Sequence, residues 1–509
     1  MTFSILILAT VFIISGLYLL GMLRMRRPGE PPLIKGAIPW LGNVLEFKNN
    51  GHAFLQEMLK NHGDVFTVQL AGHYFTFVMD PLSFGPVIRE ATSVLDFNEF
   101  ARESAIKLFG YHSTLNDLHM LKESSTKHLM GDGLVVLAQA MMENLQTLML
   151  YNMGRVKGDR KWLQGGLFNF TYSIIFKAGY CSLFGNEPVK SKGSEKRAQD
   201  CDWERSEKLF QEFVKYDQFV PRLIYSALSP KDKIEAERLK RFFWHRLSVK
   251  QTLQKENING WITEQIRKRT EMGVPEHMQD RFLFSLLWVS QSNTGPACFW
   301  FLYYLMKYPE AMKAVRAEVE GVLKGTGQDI KPGGPLINLT RDMLRKVPIM
   351  DSAMEETLRL KAAPVLTRVA KENVKFKMAS GMDVSIRRED RVVLFPYVSV
   401  QMNPEIHTDP QKFKYDRFLN EDGTKKTAFF KNGEKVKYYT MPWGAGGSIC
   451  PGRFFAVNEL KQFVFLMLSY FELELVNPNE EIPSIDPNRW GFGIMQPNND
   501  VQFRYRLRF

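Results

Sequence analysis

The hydropathy of the chain changes character three times. Phe3–Leu23 (FSILILATVFIISGLYLLGML) runs 21 residues without a charge, and Arg24, Arg26 and Arg27 follow at once. As a helix this run reaches roughly 30 Å, one hydrocarbon thickness. A basic flank after the span places the following chain in the cytosol. The run is too long for a signal peptide, no basic residue precedes it and no small-x-small cleavage site follows. Residues 1–24 are therefore expected to be an uncleaved N-terminal transmembrane helix. Arg26–Asn43 (RRPGEPPLIKGAIPWLGN) holds four prolines and three glycines, which exclude a helix and favour an extended linker over 25–43. Asp64–Asp80 (DVFTVQLAGHYFTFVMD) alternates apolar and polar residues on both sides of Ala71-Gly72 and predicts a hairpin. From about Pro81 to Lys361 the period is mostly helical, broken by polar loops such as Asn186–Gln199. Asp280–Met306 is the strongest helical segment, long and almost uncharged, so it belongs in a large core. It contains Gly295-Pro296, and an internal proline predicts a bend there. The last third is loop-rich, and Trp490–Arg508 reads as a terminal hairpin. With no internal repeat, residues 44–509 are expected to form one large domain, mainly α with a small β portion.

Composition narrows the function classes. The 45% hydrophobic and 24% charged content excludes a disordered chain. Thirty-eight Phe and twenty-four Met imply a spacious apolar interior. Cys181, Cys201, Cys298 and Cys450 are far apart and form no CxxC pair, which argues against a disulfide scaffold, a zinc ribbon and a four-Cys iron–sulfur site. A net charge of +12 beside an apolar anchor points to a membrane or an acidic protein partner rather than nucleic acid. Lys425, Lys426, Lys431, Lys435 and Lys437 form either a solvated loop or a face for such a partner.

Cys450, in SICPGRFFA, has the most distinctive setting. Gly446 lies four residues before it, Gly452 two after it and Trp443 seven before it. Flanking glycines let the backbone approach something flat, and its amides can then point at the sulfur and tune a metal bound there. Arg453–Lys461 can continue as a helix, whose dipole favours a thiolate at its start. A buried structural cysteine is the alternative; it leaves the glycines unexplained.

PWGAGGSICPG resembles the haem-ligand loop of the cytochrome P-450 family, in which a cysteine thiolate is the axial ligand of the iron. Glu356-Thr357-Leu358-Arg359 matches the family's Glu-x-x-Arg helix, its two charges on one face. Arg417 in PQKFKYDRF resembles the third member of that structural triad. The order and spacing of these pieces, with the anchor and proline-rich linker, resemble the microsomal branch over the whole chain. The resemblance implies the cytochrome P-450 fold behind an endoplasmic-reticulum membrane anchor, with a cytosolic haem-thiolate catalytic domain. It also implies heme b with Cys450 as the metal ligand, O2 as co-substrate, and electrons from NADPH through a flavin reductase received at the basic cluster. Arg368 in APVLTRVA and Lys127 in SSTKHLMGD are the implied propionate partners. Ser448 departs from the family, because the Arg or His common two before the cysteine is absent.

The bent helix departs too. The family's acid–Thr pair, which delivers protons, is replaced by Ser292-Asn293 with Thr294 following. Asn293 hydrogen-bonds but does not titrate near neutral pH, so Asn293 and Thr294 are the catalytic candidates. Trp288, less than two turns earlier, is expected to face the same pocket. WVSQSNTGPACFW, GDVFTVQL, MPWGAGGSICPGRFFA and RWGFGIMQP resemble the sterol 12α-hydroxylases of bile-acid synthesis, related to sterol 7α-hydroxylases and prostacyclin synthase. The implied reaction is 12α-hydroxylation of 7α-hydroxycholest-4-en-3-one or a close steroid, with Ile494 and Met495 reaching the substrate from the terminal hairpin. Three alternatives stand beside it: a sterol 7α-hydroxylase, an isomerase of the prostacyclin-synthase kind, needing neither NADPH nor O2, and a non-enzymatic haem sensor or steroid carrier.

Overall fold

The computed structural model describes residues 2–19, 24–114, 117–151, 161–189, 191, 193–224, 226–331 and 334–508. Its first element is helix α1 (Thr2–Leu19), with Leu6, Leu8, Phe12 and Tyr18 exposed. Within this helix Leu6–Tyr18 is an apolar stretch, and residues 20–23 of the expected anchor lie outside the described residues. Among the described residues one helix is long and apolar enough to cross a membrane, Gly131–Leu150. It packs against neighbouring helices in the core of the domain.

The linker is stitched to the domain rather than held away from it. Arg24 reaches both oxygens of Asp390 at 2.5 and 2.6 Å, and Glu30 pairs with Arg387 at 2.5 and 2.8 Å. Beyond it the chain forms β1 (Leu33–Ile34), β2 (Val65–Leu70), β3 (His73–Val78) and β4 (Leu95–Asp96). Helices α2 (Asp117–His128) and α3 (Gly131–Tyr151) follow, then β5 (Leu163–Gly166), α4 (Leu167–Phe184) and α5 (Glu195–Ile224). The centre of the molecule is α6 (Glu276–Gln291), α7 (Thr294–Lys307) and α8 (Pro348–Lys361). The last third carries β6 (Leu366–Ala370), β7 (Arg391–Leu394), α9 (Arg453–Tyr470), β8 (Phe471–Leu475) and β9 (Gln502–Leu507).

The larger sheet has the order β1-β2-β3-β7-β6-β4. Its β2–β3 hairpin pairs Val65 with Val78 through Leu70 with His73, as the alternation predicts. Gly72 turns it at φ 78°, and a Cβ there would lie 2.4 Å from the Trp40 indole nitrogen, so the turn accepts only glycine.

The long apolar segment is two helices, not one bent one. The break falls at Ser292–Asn293, ahead of Gly295-Pro296. Pro296 sits in the first turn of α7, where a missing N–H costs nothing. Gly295 serves close packing: a Cβ would come within 2.0 Å of the Tyr172 ring on α4. Around α7 pack α4, α8 and α9, which buries Cys298 through Leu305 almost completely.

The expected terminal hairpin is also different. β9 pairs with β8 and β5, while residues 487–497 form an irregular loop. Gly491 and Gly493 adopt φ 84° and 81°, a left-handed backbone that cannot continue a strand. The loop hydrogen-bonds back to the end of α8, Met495 N to Lys361 O at 2.9 Å and Ala363 N to Gly493 O at 2.8 Å.

Candidate functional site

The Cys450 loop is shaped by its glycines. Gly444 and Gly446 have φ 72° and 61°, and a Cβ on Gly446 would lie 2.7 Å from the Ile88 carbonyl oxygen. Cys450 N donates to Trp443 O at 2.8 Å, closing the loop immediately before α9. Burial pushes the Cys450 thiol up, while the amides of Gly452 and Arg453 at the sulfur and the Arg453 charge pull it down. Those donors at a helix N-terminus are the setting that stabilises a metal-bound thiolate.

Arg368 on β6 supplies the second half of the fit. Its side chain is buried, and among the described residues it has no carboxylate within ion-pair distance. Its guanidinium donates to Ser448 Oγ at 2.6 Å, to Thr367 O at 3.2 Å and to Ala445 O at 3.4 Å. Burial lowers its pKa, the signature of a cation held without a counter-charge. A bound carboxylate would relieve that cost. Ser448, the loop's departure from the family, thus orients the arginine: it accepts from Arg368 and donates to Ala445 O at 3.2 Å. The residues present fit a haem with one thiolate ligand and a propionate on Arg368.

Lys127 does not join this arrangement. Its Nζ pairs with Glu264 at 2.8 Å and its side chain is 67% exposed, because α2 turns that face toward solvent and an acid already satisfies it. The same helix buries Ser124 and Ser125, whose hydroxyls have no hydrogen-bond partner among the described residues. Nothing in the sequence separates these serines from surface ones; only burial does.

The charge triad orders the chain ahead of the loop. Arg359 meets Glu356 with two bonds of 2.7 and 2.8 Å, and Arg417 adds a third at 2.9 Å. The surplus positive charge is absorbed by carbonyls: Gln401 and Pro410 for Arg359, Thr408, Asp409 and Lys412 for Arg417.

At the break between α6 and α7, Asn293 Oδ1 accepts from Ile494 N at 2.9 Å. Its acceptor is therefore engaged by the 487–497 loop, and its amide nitrogen is directed to Ser292 Oγ at 3.5 Å. Trp288 Nε1 donates to Asp217 Oδ1 at 2.9 Å. Val289 is 51% exposed on a helix whose neighbours Leu286, Leu287 and Gln291 are buried, so α6 leaves one stripe uncovered beside Trp288. Ile494 is buried against the helical core. Met495 is wholly buried with Ala363, Phe395 and Val398, and its carbonyl accepts from Trp300. It is a packing residue, contrary to the expectation that it reaches a substrate, because the loop's backbone bonds to α8 turn it inward.

Glu459 on α9 is the group that sequence reasoning missed. It is fully buried, and among the described residues neither carboxyl oxygen has a hydrogen-bond partner of good geometry. Burial pushes its pKa far up, opposed by the Thr294 hydroxyl beside it, so the acid holds its proton. The end of α8 is joined through Gly493–Ile494 to Asn293, and the next residue, Thr294, stands beside Glu459 on the helix that follows the Cys450 loop.

The basic cluster is partly spoken for. Lys425 pairs with Glu355 at 2.6 Å and Lys431 with Asp80 at 3.0 Å. Lys426 lies over the Phe429 ring and Lys437 over Tyr438.

Residues 31–503 match the cytochrome P-450 family model. The chain is 50% identical to a 7-alpha-hydroxycholest-4-en-3-one 12-alpha-hydroxylase of Oryctolagus cuniculus, covering 97% of each. It is 41% identical to the prostacyclin synthase of Bos taurus, covering 95% of each. A retinoic acid-bound cyanobacterial CYP120A1 superposes with a TM-score of 0.70 at 17% identity, covering 95% of this chain and 100% of that one.

Proposed function

Because the chain belongs to the cytochrome P-450 family, we propose that it is a haem-thiolate monooxygenase that hydroxylates a steroid at C12. The 50% identity to a 12-alpha-hydroxylase over nearly the whole chain carries this reading. The substrate it points to is 7α-hydroxycholest-4-en-3-one or a close relative, in bile-acid synthesis. When bound, the haem supplies activation of O2 for insertion into an unactivated C–H bond, which the electron-rich thiolate favours.

The chain's own residues do the rest. Cys450 would ligate the iron, its sulfur already receiving the amides of Gly452 and Arg453. Arg368, oriented by Ser448, would bind a propionate, and the buried hydroxyls of Ser124 and Ser125 would be available to the other. Glu459 keeps a proton on its carboxyl next to the Thr294 hydroxyl, which compensates for the absence of an acid at Ser292-Asn293. Asn293 ties α6 and α7 to the 487–497 loop and so keeps the uncovered stripe at Val289 in register. Trp288 presents a flat indole for a flat steroid. Electrons from NADPH arrive through a flavin reductase, with Lys426, Lys435 and Lys437 the cluster members left to receive it. The N-terminal apolar helix anchors the domain on the cytosolic face of the endoplasmic reticulum.

A second reading is a peroxide isomerase of the prostacyclin-synthase kind, favoured by the 41% identity and by Asn293 in place of a titrating pair. Incubation with 7α-hydroxycholest-4-en-3-one separates them. Formation of the 12α-alcohol only with O2, NADPH and reductase supports the first. Conversion of a prostaglandin endoperoxide without any of the three replaces it with the second.

A further inference from the structure

Asp217 lies on α5, 3% exposed, and receives three side chains from two other parts of the molecule. Trp288 Nε1 on α6 donates to Oδ1 at 2.9 Å. Arg489 Nη2 and Gln496 Nε2, at the two ends of the loop, both donate to Oδ2, at 2.7 and 3.0 Å. Arg489 Nη1 also donates to the Asp217 carbonyl at 3.0 Å. Arg489 is itself 3% exposed. The cost of burying both charges is large, and the partners lie far along the chain from Asp217: Trp288 by 71 residues, Arg489 by 272 and Gln496 by 279.

This group sits where the proposed chemistry needs rigidity. Trp288 precedes the half-exposed Val289 and lies one turn before the Ser292–Asn293 break. Gln496 lies two residues beyond Ile494, whose amide is fixed on Asn293. The indole also packs against the Phe109 ring, with centroids 5.7 Å apart and the planes tilted by 51°. A tryptophan held by one strong hydrogen bond and one ring contact cannot change rotamer without losing both. Trp288 is therefore a fixed wall, and its position is set by Asp217 rather than by its own helix.

We infer that Asp217, with Arg489 and Gln496, is a positioning set that locks Trp288 and thereby determines which carbon of the bound steroid is oxidised. The set touches the substrate only through Trp288. The inference rests on the steroid-hydroxylase reading above. A rigid apolar substrate offers few polar handles, so its register depends on the shape of the walls, and a displacement of about 1 Å in such a site costs up to 10²-fold in rate.

The test uses the full-length holoenzyme with reductase and NADPH. Trp288→Phe keeps the ring and the Asp217–Arg489 pair but removes the N–H. Asp217→Asn keeps the shape and removes the charge. Both variants are expected to retain haem and ligand-binding spectra. The ratio of C12 alcohol to other hydroxylated steroids should fall about tenfold or more, with more NADPH consumed per product. The double variant should be no worse than the poorer single one, since both act through one link: Trp288→Phe removes its donor, and Asp217→Asn loosens its acceptor from Arg489 and Gln496. Wild-type product ratios in Trp288→Phe, or additive losses in the double variant, overturn the inference. If the wild type makes no C12 alcohol, the hydroxylase reading falls by itself. The same variants are then judged on the wild type's own product, where unchanged kcat/KM and product distribution overturn the positioning role.

Discussion

Glu356→Gln isolates one charge at the structural centre of the chain ahead of the haem loop. The carboxylate accepts from Arg359 at 2.7 and 2.8 Å, from Arg417 at 2.9 Å and from the Lys414 amide at 3.1 Å. Glu356 and Arg359 are 0% exposed. Glutamine has the same shape but one acceptor, and its NH2 group faces a guanidinium donor. Two buried cations then share no anion. Removing one partner of a buried pair costs about 3–5 kcal/mol, against a total stability of about 5–15 kcal/mol for a domain. The carbonyls of Gln401, Pro410 and Thr408 keep some of the guanidinium hydrogen bonds, so the lower part of that range is expected. Thermal unfolding followed by circular dichroism, with haem content measured by the Soret band, reads the effect. The expected outcome is a markedly lower unfolding temperature and substoichiometric haem. Full haem occupancy with a wild-type melting curve would show that the carbonyls alone satisfy both arginines, and the energetic argument would be wrong.

Glu459→Gln tests the buried acid. Its folded pKa is raised above the ordinary 4.5, so the native state binds more protons than the unfolded one above that pH and wild-type stability falls as pH rises. The variant should gain stability over wild type at pH 7 and lose that gain near pH 4.5; a pH-independent difference in denaturant unfolding would contradict a neutral carboxyl. His407 has the opposite sign. Burial holds its imidazole at about 3, below the unfolded 6.5, so stability is present above pH 6.5 and lost as pH falls. One pH unit is worth 1.36 kcal/mol, so between pH 6.5 and about 5 the wild type should lose about 2 kcal/mol more than His407→Gln, in which the bond to Tyr439 O can persist; parallel profiles would argue against a buried neutral ring. Arg368→Met should bind haem more weakly yet fold at least as stably without it, because the side chain is a buried cation with no counter-ion; equal haem affinity measured by transfer to apomyoglobin would remove Arg368 from the propionate role.

Where information is local, the sequence was readable. Glycine at Gly72, Gly444 and Gly446 announces left-handed turns, and the two-residue alternation on both sides of Ala71-Gly72 announces a hairpin. Glu356 and Arg359, three apart, share a helix face whatever surrounds them. The misreadings came where a local signal has two structural uses. Pro296 suits a bend inside one helix, but proline is equally at home in a first turn, and the break falls at Ser292–Asn293. Trp490–Arg508 has the composition of a hairpin, but Gly491 and Gly493 turn the loop onto α8 while β9 pairs with β8. Family resemblance alone points Lys127 to a propionate and Met495 to a substrate, while the faces of their elements point to Glu264 and into the core.

From the sequence alone come the glycine-flanked setting of Cys450, the spacing that puts Glu356 and Arg359 on one helix face, and the mainly helical character of the domain. Those features depend on spacings of a few residues, which backbone geometry converts directly into proximity. Which polar groups end up buried without a counter-charge, or paired across the chain, depends on the packed fold. Arg368 without a carboxylate among the described residues, Glu459 buried beside the Thr294 hydroxyl, and Asp217 holding Trp288, Arg489 and Gln496 are products of contacts between distant segments. Burial is a property of the packed whole, and desolvation, not residue type, makes these ordinary side chains costly and therefore informative.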